Sequence, residues 1–232
     1  MKIIRVMSWF FITVIVFIGM TFTILSFPFI RQPYPQKVFS HVISFIMNIS
    51  LIIEGVEDEN TEMFLINHES DIDAGCMESI TKKNLAWVAK KSLFDVPFFG
   101  LFISFPDNIA IERENKTSLL KMLKDSKDRL SKGRVIAIFP EGTRSIDGKM
   151  RKFKPGAKLV ADKLKLRVQP VVLINTASYY DVQRRYYKSG NIKVIFLKAF
   201  DADKNNKNWL NDTREKMQNV YDEEFKNINN YR

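Results

Sequence analysis

Cysteine is almost absent from this sequence, because Cys76 is the only one in 232 residues. A single cysteine excludes an internal disulfide and a structural zinc site of the multi-cysteine type. This composition is typical of a reducing compartment and predicts that the folded domain lies in the cytoplasm. Histidine is nearly as scarce, with only His41 and His68. His41 falls in an apolar stretch, which leaves His68 as the candidate for chemistry.

Charged residues are absent from positions 6–30, a stretch dominated by Ile, Val and Phe. As a helix it would be about 37 Å long, which exceeds the roughly 30 Å hydrocarbon core of a bilayer. A secretory signal peptide is the alternative, but its apolar region is only about 7–15 residues long and ends in a small-residue cleavage site. We therefore predict a membrane anchor, which either spans the bilayer or forms one arm of a re-entrant hairpin. A second uncharged stretch, residues 38–53, is predicted to lie at the interface or against the first.

The composition as a whole is basic, with 36 Lys and Arg against 26 Asp and Glu and a formal net charge of +10. Such a balance suits nucleic acid or anionic lipid. The apolar N-terminus favours lipid, because each basic residue near an anionic leaflet contributes about 1 kcal/mol. We therefore predict an anionic membrane surface as a partner and no nucleic acid. The folded domain is expected on the cytoplasmic face of the inner membrane.

Apolar strand and helix patterns alternate along the rest of the chain. Strands are predicted over residues 62–67, 85–89, 108–111, 134–139, 166–174 and 192–197. Helices are predicted over residues 71–82, 117–130, 156–164 and 206–225, with Ser70 or Asp71 as the N-cap of the first. This alternation predicts an α/β fold with a mixed, largely parallel sheet flanked by helices. The expected organisation is a membrane-anchoring helical segment over residues 1–54 and an α/β catalytic domain over residues 55–232.

The first chemically informative string is NHESDID, at residues 67–73. A histidine with a carboxylate partner can act as a general base. Asp71 would share a helix face with His68, whereas Asp73 reaches His68 only if the chain turns between them. The spacing leaves the two aspartates as rivals. The alternative is that His68 is a hydrogen-bonded turn residue and that both aspartates are helix N-terminal acids favoured by the helix dipole.

The second string is FPEGTRS, at residues 139–145, directly after an apolar strand pattern. It places Glu141, the flexible Gly142 and Arg144 on a tight turn. The planar fork of an arginine suits the oxygens of a phosphate. The two strings together predict acyl or phosphoryl chemistry on a phosphorylated alcohol, and the apolar N-terminus places that alcohol in a membrane.

These strings resemble the motifs of the glycerolipid acyltransferase family. Residues 67–73 match the first motif, 108–113 the second, 139–145 the third, and 168–171 are similar to the fourth. The resemblance extends over residues 51–197, and four motifs in the right order argue against a chance match. One departure is Asp107, where the family often has glycine, so the turn into the second motif is expected to differ in shape or charge.

The resemblance implies roles for the first string. It assigns Asp73, and not Asp71, as the partner of His68. His68 would take the proton of an acceptor hydroxyl as its oxygen attacks an acyl thioester directly, while Asp73 fixes the imidazole tautomer and stabilises the imidazolium. Ser70 as a covalent nucleophile is a weaker alternative, because no nucleophile-elbow glycines surround it.

The resemblance also implies a substrate-binding set. Arg113 and Arg144 would hold the phosphate of the acceptor. Glu141 is expected to orient a glycerol hydroxyl or the neighbouring arginine, and Gly142 to let the backbone approach the ligand closely. Thr143 belongs to the same predicted substrate-binding turn.

The reaction implied is acylation of the sn-2 hydroxyl of 1-acyl-sn-glycerol-3-phosphate (lysophosphatidate) to phosphatidate. Acyl-CoA or acyl carrier protein would be the donor, with no metal and no organic cofactor. Lys90 and Lys154 are further possible contacts to headgroup or donor phosphates. The alternatives are acyl transfer to another lysophospholipid or a lyso-aminolipid, a membrane-bound lipid phosphatase or hydrolase that uses His68, and a silent lipid-binding protein on the same fold.

Overall fold

The computed structural model describes residues 2–30, 33–112, 116–145 and 147–230. Its helices are α1 (Lys2–Ser26), α2 (Tyr34–Ile46), α3 (Asp73–Ile80), α4 (Lys91–Phe94), α5 (Phe99–Ser104), α6 (Lys116–Ser131), α7 (Pro155–Leu164) and α8 (Trp209–Asn230), with a 3-10 turn at Thr176–Ser178. Its strands are β1 (Ile49–Glu54), β2 (Met63–Ile66), β3 (Leu85–Lys90), β4 (Ile109–Ile111), β5 (Val135–Ile138), β6 (Arg167–Ile174), β7 (Tyr180–Asp181), β8 (Tyr186–Tyr187), β9 (Gly190–Phe196) and β10 (Phe200–Asp201).

The main sheet of the described residues has the strand order β1-β9-β6-β2-β5-β3-β4, and β10 pairs with β6. Neighbouring strands are parallel, except that β6 pairs antiparallel with β9 and with β10. The predicted mixed, largely parallel sheet is therefore confirmed. Helices cover both faces of such a sheet, which is why β2 and β5 are buried at every position.

Alternate side chains of the strands form two hydrophobic clusters, one on each face of the sheet. Met63 and Leu65 of β2 belong to the first cluster, and Phe64 and Ile66 belong to the second. Helices α6, α7 and α8 contribute to the first cluster, whereas α1, α2 and α3 pack on the second. The N-terminal helices are therefore part of the packed structure and cover one face of the sheet.

The sequence predicted helical anchor segments up to residue 54, and this is wrong for Ile49–Glu54, which is a β-strand. β1 pairs in parallel with β9 over six residue pairs, from Ile49 with Gly190 to Glu54 with Ile195. The second uncharged stretch is thus divided between α2 and β1, and Asn48 turns the chain between them with φ 47°. A short apolar run has the same composition in a buried helix as in a sheet strand, so only pairing with β9 decides its conformation.

The N-cap expected for α3 is also wrong. The helix begins at Asp73 and its N-cap is Ile72, which makes no capping hydrogen bond through its side chain. Ser70 and Asp71 precede the helix and have other partners, Tyr180 and Arg144 respectively. A tertiary contact therefore replaces the local capping bond at each of these two side chains.

One face of α1 packs along the α/β domain. Ile12 is buried in the second cluster, Phe17 stacks on Phe98 with ring centroids 4.2 Å apart, and Phe27 lies 5.3 Å from Phe105. The opposite face is exposed and apolar, with large side chains that include Phe10, Phe11 and Phe22. By length and composition Met7–Ser26 could cross a membrane.

Helix α2 is 13 residues long, about 20 Å, which is too short to cross a bilayer. It lies between α1 and α3. The ammonium of Lys37 donates to the backbone oxygens of Thr81 and Glu78 at the end of α3. Burial lowers the pKa of Lys37, while Glu78 and Glu57 nearby oppose that shift. Lys37 thus links α2 to α3 by hydrogen bonds.

Candidate active site

His68 follows β2, and residues 139–145 follow the neighbouring parallel strand β5. Because the carboxyl ends of parallel strands lie at one edge of the sheet, the two motifs meet there. The amide of Ser145 donates to the backbone oxygen of His68 at 2.7 Å. The amide of His68 donates to Oε1 of Glu141 at 2.9 Å. The two motifs therefore form one hydrogen-bonded unit.

His68 and Asp73 form a dyad, as the resemblance implied. Nδ1 of His68 lies 2.8 Å from Oδ2 of Asp73. The same oxygen accepts the backbone amides of Glu69 at 2.6 Å and Ser70 at 2.9 Å. A carboxylate with several donors on one oxygen acts as an acceptor, so Nδ1 carries the proton. Nε2 is then left with its lone pair, and the half-buried imidazole lines a cavity.

Asp71, the rival partner, does not contact His68. Its carboxylate is partly exposed and forms an ion pair with the guanidinium of Arg144. Asp73 is fully buried, and Asp71 also lines the cavity next to His68. The geometry therefore decides between the two aspartates in favour of Asp73. Arg144 does not itself line the cavity but pairs with Asp71, which does.

The imidazole of His68 is held by an aromatic stack. The ring of Phe139 lies 4.0 Å from the imidazole at an interplanar angle of 14°, and the ring of Trp87 lies 5.1 Å from Phe139. Nε1 of Trp87 donates to Oε1 of the buried Glu78 at 2.8 Å. The imidazole of His68 is therefore positioned by two contacts, a hydrogen bond to Asp73 and a ring stack on Phe139. The sequence analysis missed this stack, and the only available signal was the aromatic residue directly before Pro140.

Glu141 accepts hydrogen bonds from groups of the protein itself. Its side chain is buried, and it accepts the amides of His68 and Arg151 and the hydroxyl of Ser145. Burial raises the pKa of Glu141, and these three donors partly offset that shift. The expectation that Glu141 orients Arg144 is wrong, because its oxygens accept hydrogen bonds from His68, Ser145 and Arg151. The expectation that it orients a glycerol hydroxyl stays a prediction.

Ser70 is not placed as a nucleophile. Its side chain is buried, and its hydroxyl donates to the backbone oxygen of Tyr180 at 2.5 Å. The serine thus ties the first motif to the segment after β6. Asn67 makes a second tie of this kind, because its side-chain amide bonds both backbone groups of Leu173 in β6 at 2.7 and 2.8 Å.

The remaining predicted residues differ in their relation to the cavity. Gly142 lines it and has φ 70°, a conformation that glycine adopts without strain. Lys90 also lines it and is exposed, whereas Thr143 and Lys154 are exposed outside its lining. Arg113 lies outside the described residues. The strand that leads to it, β4, ends with Ile111 beside Lys90, so the second motif approaches the cavity from this side.

Glu69 is a buried carboxyl beside the dyad that sequence reasoning did not single out. It accepts the amide of Thr176 at 3.0 Å and a hydrogen bond from Tyr221 of α8. Burial raises the pKa of Glu69 to about 8, against an ordinary value of 4.5, and the charge of Asp73 adds to the effect. At neutral pH this carboxyl is therefore largely protonated, and it joins α8 to the first motif.

The cavity has a volume of about 510 Å³ and is mostly apolar. It lies between the N-terminal helices and the α/β domain. Its lining includes Val16 and Met20 of α1, Phe39 and Ile43 of α2, Cys76 of α3, Trp87 of β3 and Phe99 and Phe102 of α5. Such a volume accommodates a hydrocarbon chain, and His68 in its wall is the group that could act as a base on the head of that chain.

A base that is oriented by a buried carboxylate beside an apolar cavity is suited to activating a lipid hydroxyl for acyl transfer. The sequence model of the family named Acyltransferase matches residues 52–174. The chain belongs to this acyltransferase family.

Two similar proteins are named as acyltransferases, in agreement with this family. The 1-acyl-sn-glycerol-3-phosphate acyltransferase of Helicobacter pylori is 32% identical over 176 residues, which span 75% of this chain and 74% of the relative. The enzyme of the same name from Saccharomyces cerevisiae is 26% identical over 89% of this chain and 70% of its own length. The crystal structure of PlsC, the 1-acyl-sn-glycerophosphate (LPA) acyltransferase of Thermotoga maritima, superposes with a TM-score of 0.72. That match covers 97% of this chain and 94% of PlsC at 19% identity, so it bears on the fold.

Proposed function

We propose that this protein transfers a fatty acyl group from acyl-CoA or acyl carrier protein to the sn-2 hydroxyl of 1-acyl-sn-glycerol-3-phosphate and thereby makes phosphatidate. The observation that carries the proposal is the His68–Asp73 dyad, whose imidazole lines an apolar cavity that is also lined by Asp71, the partner of Arg144. The relatives named 1-acyl-sn-glycerol-3-phosphate acyltransferase support the same substrate.

The proposed reaction has one general base. As the sn-2 oxygen attacks the thioester carbonyl, its proton passes to Nε2 of His68 and an imidazolium forms. Asp73 lowers the energy of that imidazolium, because it is buried and already aligned on Nδ1. When the tetrahedral intermediate collapses, the carbon–sulfur bond breaks and the imidazolium protonates the leaving thiolate. The atoms balance without an acyl-enzyme, in keeping with the engaged hydroxyl of Ser70.

Arg144 is proposed to bind the phosphate of the acceptor. In the free protein its guanidinium is paired with Asp71, and both groups are partly exposed at the cavity edge. A phosphate dianion offers more charge and more acceptor oxygens than one carboxylate, so it can replace Asp71 on the planar fork. Arg113 is proposed as a second phosphate contact from the family motif, and the exposed Lys90 beside β4 is proposed as a third.

We further propose that the protein sits in one leaflet of a membrane, with its α/β domain on the cytoplasmic face. Contacts from Ile12 to Phe27 hold α1 against the domain over most of its length. A helix that crossed the bilayer would have to leave the domain along that path, whereas a helix with one packed face and one apolar exposed face suits the interface. The predicted non-spanning alternative, one arm of a re-entrant hairpin, is therefore favoured over the spanning form.

The test is a product analysis with the purified full-length chain. Lysophosphatidate is supplied in phosphatidylethanolamine–phosphatidylglycerol vesicles, with acyl-CoA, with acyl carrier protein carrying the same chain, or with no thioester. We expect phosphatidate by mass spectrometry only when a thioester is present, and none with the His68→Ala variant. Loss of lysophosphatidate without a thioester would instead identify a hydrolase, and acylation of a lyso-aminolipid in preference to lysophosphatidate would change the acceptor class.

A further inference from the structure

Residues 91–105, which include α4 and α5, carry a run of exposed apolar side chains. Their exposed fractions lie between 36% and 52% for Leu93, Val96, Phe99, Leu101 and Phe105. A single exposed apolar residue is ordinary, but five within so short a segment form a patch of the kind that marks an interaction surface. Val96, Leu101 and Phe105 have no part in the site described above, whereas Leu93 and Phe99 also line its cavity.

The segment has a fixed shape. The amide of Gly100 donates to the backbone oxygen of Val96 at 2.7 Å, and a Cβ on Gly100 would lie only 2.1 Å from the backbone oxygen of Phe94. Phe98 has φ 67°, which is rare for a bulky residue and costs conformational energy. Strain of this kind persists where the surrounding packing imposes it and often accompanies a functional surface. The apolar side chains are thus held outward by a compact helical turn.

The patch is continuous with the exposed face of α1. Phe98 stacks on Phe17, and Phe105 contacts Phe27, so α1 and residues 91–105 lie side by side. The exposed side chains of α1 and of the segment therefore make one broad apolar surface. Lipid is the partner that fits, because it covers a wide apolar area without requiring specific hydrogen bonds.

The charged groups of the segment, Lys91 and Asp95, lie near its N-terminal end. Lys91 and Asp95 are four residues apart and therefore share a face of the helical turn. Lys91 is exposed and pairs with Glu112 at 2.5 Å. An apolar face bordered by charged side chains is the arrangement expected where headgroups meet acyl chains.

The patch also leads into the cavity. Leu93 and Phe99 are exposed and at the same time line the cavity that contains His68. The cavity therefore opens where the apolar surface is. A hydrocarbon chain that moves from lipid through this opening keeps apolar surroundings on both sides and avoids the hydration cost of each methylene.

We propose that residues 91–105 are a second membrane-embedded surface beside α1, and that the opening at Leu93 and Phe99 admits the acyl chain of the membrane-borne acceptor. The identity of that acceptor rests on the proposed function, whereas the contact with lipid does not.

The contact is tested by measuring membrane depth. The full-length chain with Cys76→Ala receives one cysteine for a fluorescent label, either Leu101→Cys or, as a matched control on α6, Leu120→Cys, which replaces a 66% exposed leucine. In phosphatidylethanolamine–phosphatidylglycerol vesicles, a nitroxide on the lipid tails should quench the label at position 101 at least about twofold more than at 120. Equal, weak quenching at both positions would overturn the membrane surface.

Entry of the acyl chain from the lipid is tested by measuring acylation of two acceptors. Leu101→Asp should reduce acylation of long-chain lysophosphatidate in vesicles by about fivefold or more and leave acylation of a water-soluble short-chain analogue unchanged, while Leu120→Asp should change neither. Loss of both activities in Leu101→Asp, or of neither, would reject entry of the acyl chain across this surface. An inactive wild-type protein would reject the proposed function alone, because label depth is measured without acyl transfer.

Discussion

Arg144 and Asp71 form an ion pair at the edge of the cavity, although 73 residues separate them along the chain. The guanidinium of Arg144 is therefore held in place in the free protein. Under the phosphate-binding role proposed for Arg144, a phosphate oxygen would take the place of the Asp71 carboxylate. Under that proposal, binding of the acceptor would exchange one anion for another on the same guanidinium. This arrangement predicts which substrate will respond to a change at Arg144.

Arg144→Lys should raise the KM for lysophosphatidate about tenfold, because lysine keeps the charge and loses the planar fork. The KM for the acyl thioester should change far less. Steady-state kinetics with both substrates varied will show the difference. A parallel rise in both KM values, together with a lower melting temperature, would mean that Arg144 holds the turn and does not bind phosphate.

His68→Ala should abolish acyl transfer while lysophosphatidate binding weakens little, because a general base acts mainly on the transition state. Asp73→Asn should be severely impaired, since the amide cannot stabilise an imidazolium as a carboxylate does. Asp71→Asn is the matched control and should retain most of kcat. Turnover and equilibrium binding are measured for each variant. Near-normal turnover of His68→Ala would contradict the mechanism.

The aromatic stack should contribute to kcat. Phe139→Leu removes the ring that lies 4.0 Å from the imidazole of His68 and should lower kcat by about two- to tenfold, with a smaller effect on either KM. Phe139→Tyr keeps a ring in place and should retain most of the wild-type kcat. If leucine and tyrosine are equally active, the orientation of His68 does not depend on the stack.

Glu69 should make the stability pH-dependent. Because burial raises the pKa of Glu69 from 4.5 to about 8, the folded protein keeps a proton that the unfolded chain has released over this interval. The free energy of unfolding should therefore fall as the pH rises from about 4.5 to about 8. Glu69→Gln cannot titrate, so its melting temperature should vary less between these pH values. The pKa of Glu141 is raised too, and a slope that changes only in Glu141→Gln would assign the effect to that residue.

The exposed face of α1 should govern membrane association. Changing Phe10, Phe11 and Phe22 together to asparagine removes apolar surface that is exposed to solvent in the folded chain. At about 1 kcal/mol or more for each ring, the vesicle partition coefficient should fall by about 100-fold. Co-sedimentation with vesicles measures it, and Leu120→Asn is the control for loss of an apolar group elsewhere. Unchanged partitioning would exclude α1 as the principal anchor.

The sheet was predictable because buried parallel strands are continuous apolar runs, and the motifs lie where those runs end. All six predicted strands are present, and each predicted end lies within two residues of the observed one. By contrast, α4 and α5 are too short to leave a periodic pattern, and tertiary packing on α1 and β3 fixes them. Local sequence gave no means to find them.

Within the site, the family motif identified the dyad, whereas the spacing of His68, Asp71 and Asp73 left the choice open. The partners of Glu141 and Arg144 were mispredicted or missed because each is set by a contact 73 residues away. Neighbours in sequence suggested that these two side chains would pair with each other. In the fold they point apart, one to the backbone of His68 and the other to Asp71.

Strand β1 has a consequence for the order of folding. It joins the sheet by pairing with β9, with Ile49 opposite Gly190, so its partner is synthesised long after α1 and α2. Because chains emerge from the ribosome N-terminus first, the apolar helices can meet a membrane before the strand that completes the sheet exists. The pairing of β1 with β9 would then form at the membrane surface. In a chain that failed to reach the membrane, the most apolar segment would stay exposed to water until β9 had been synthesised.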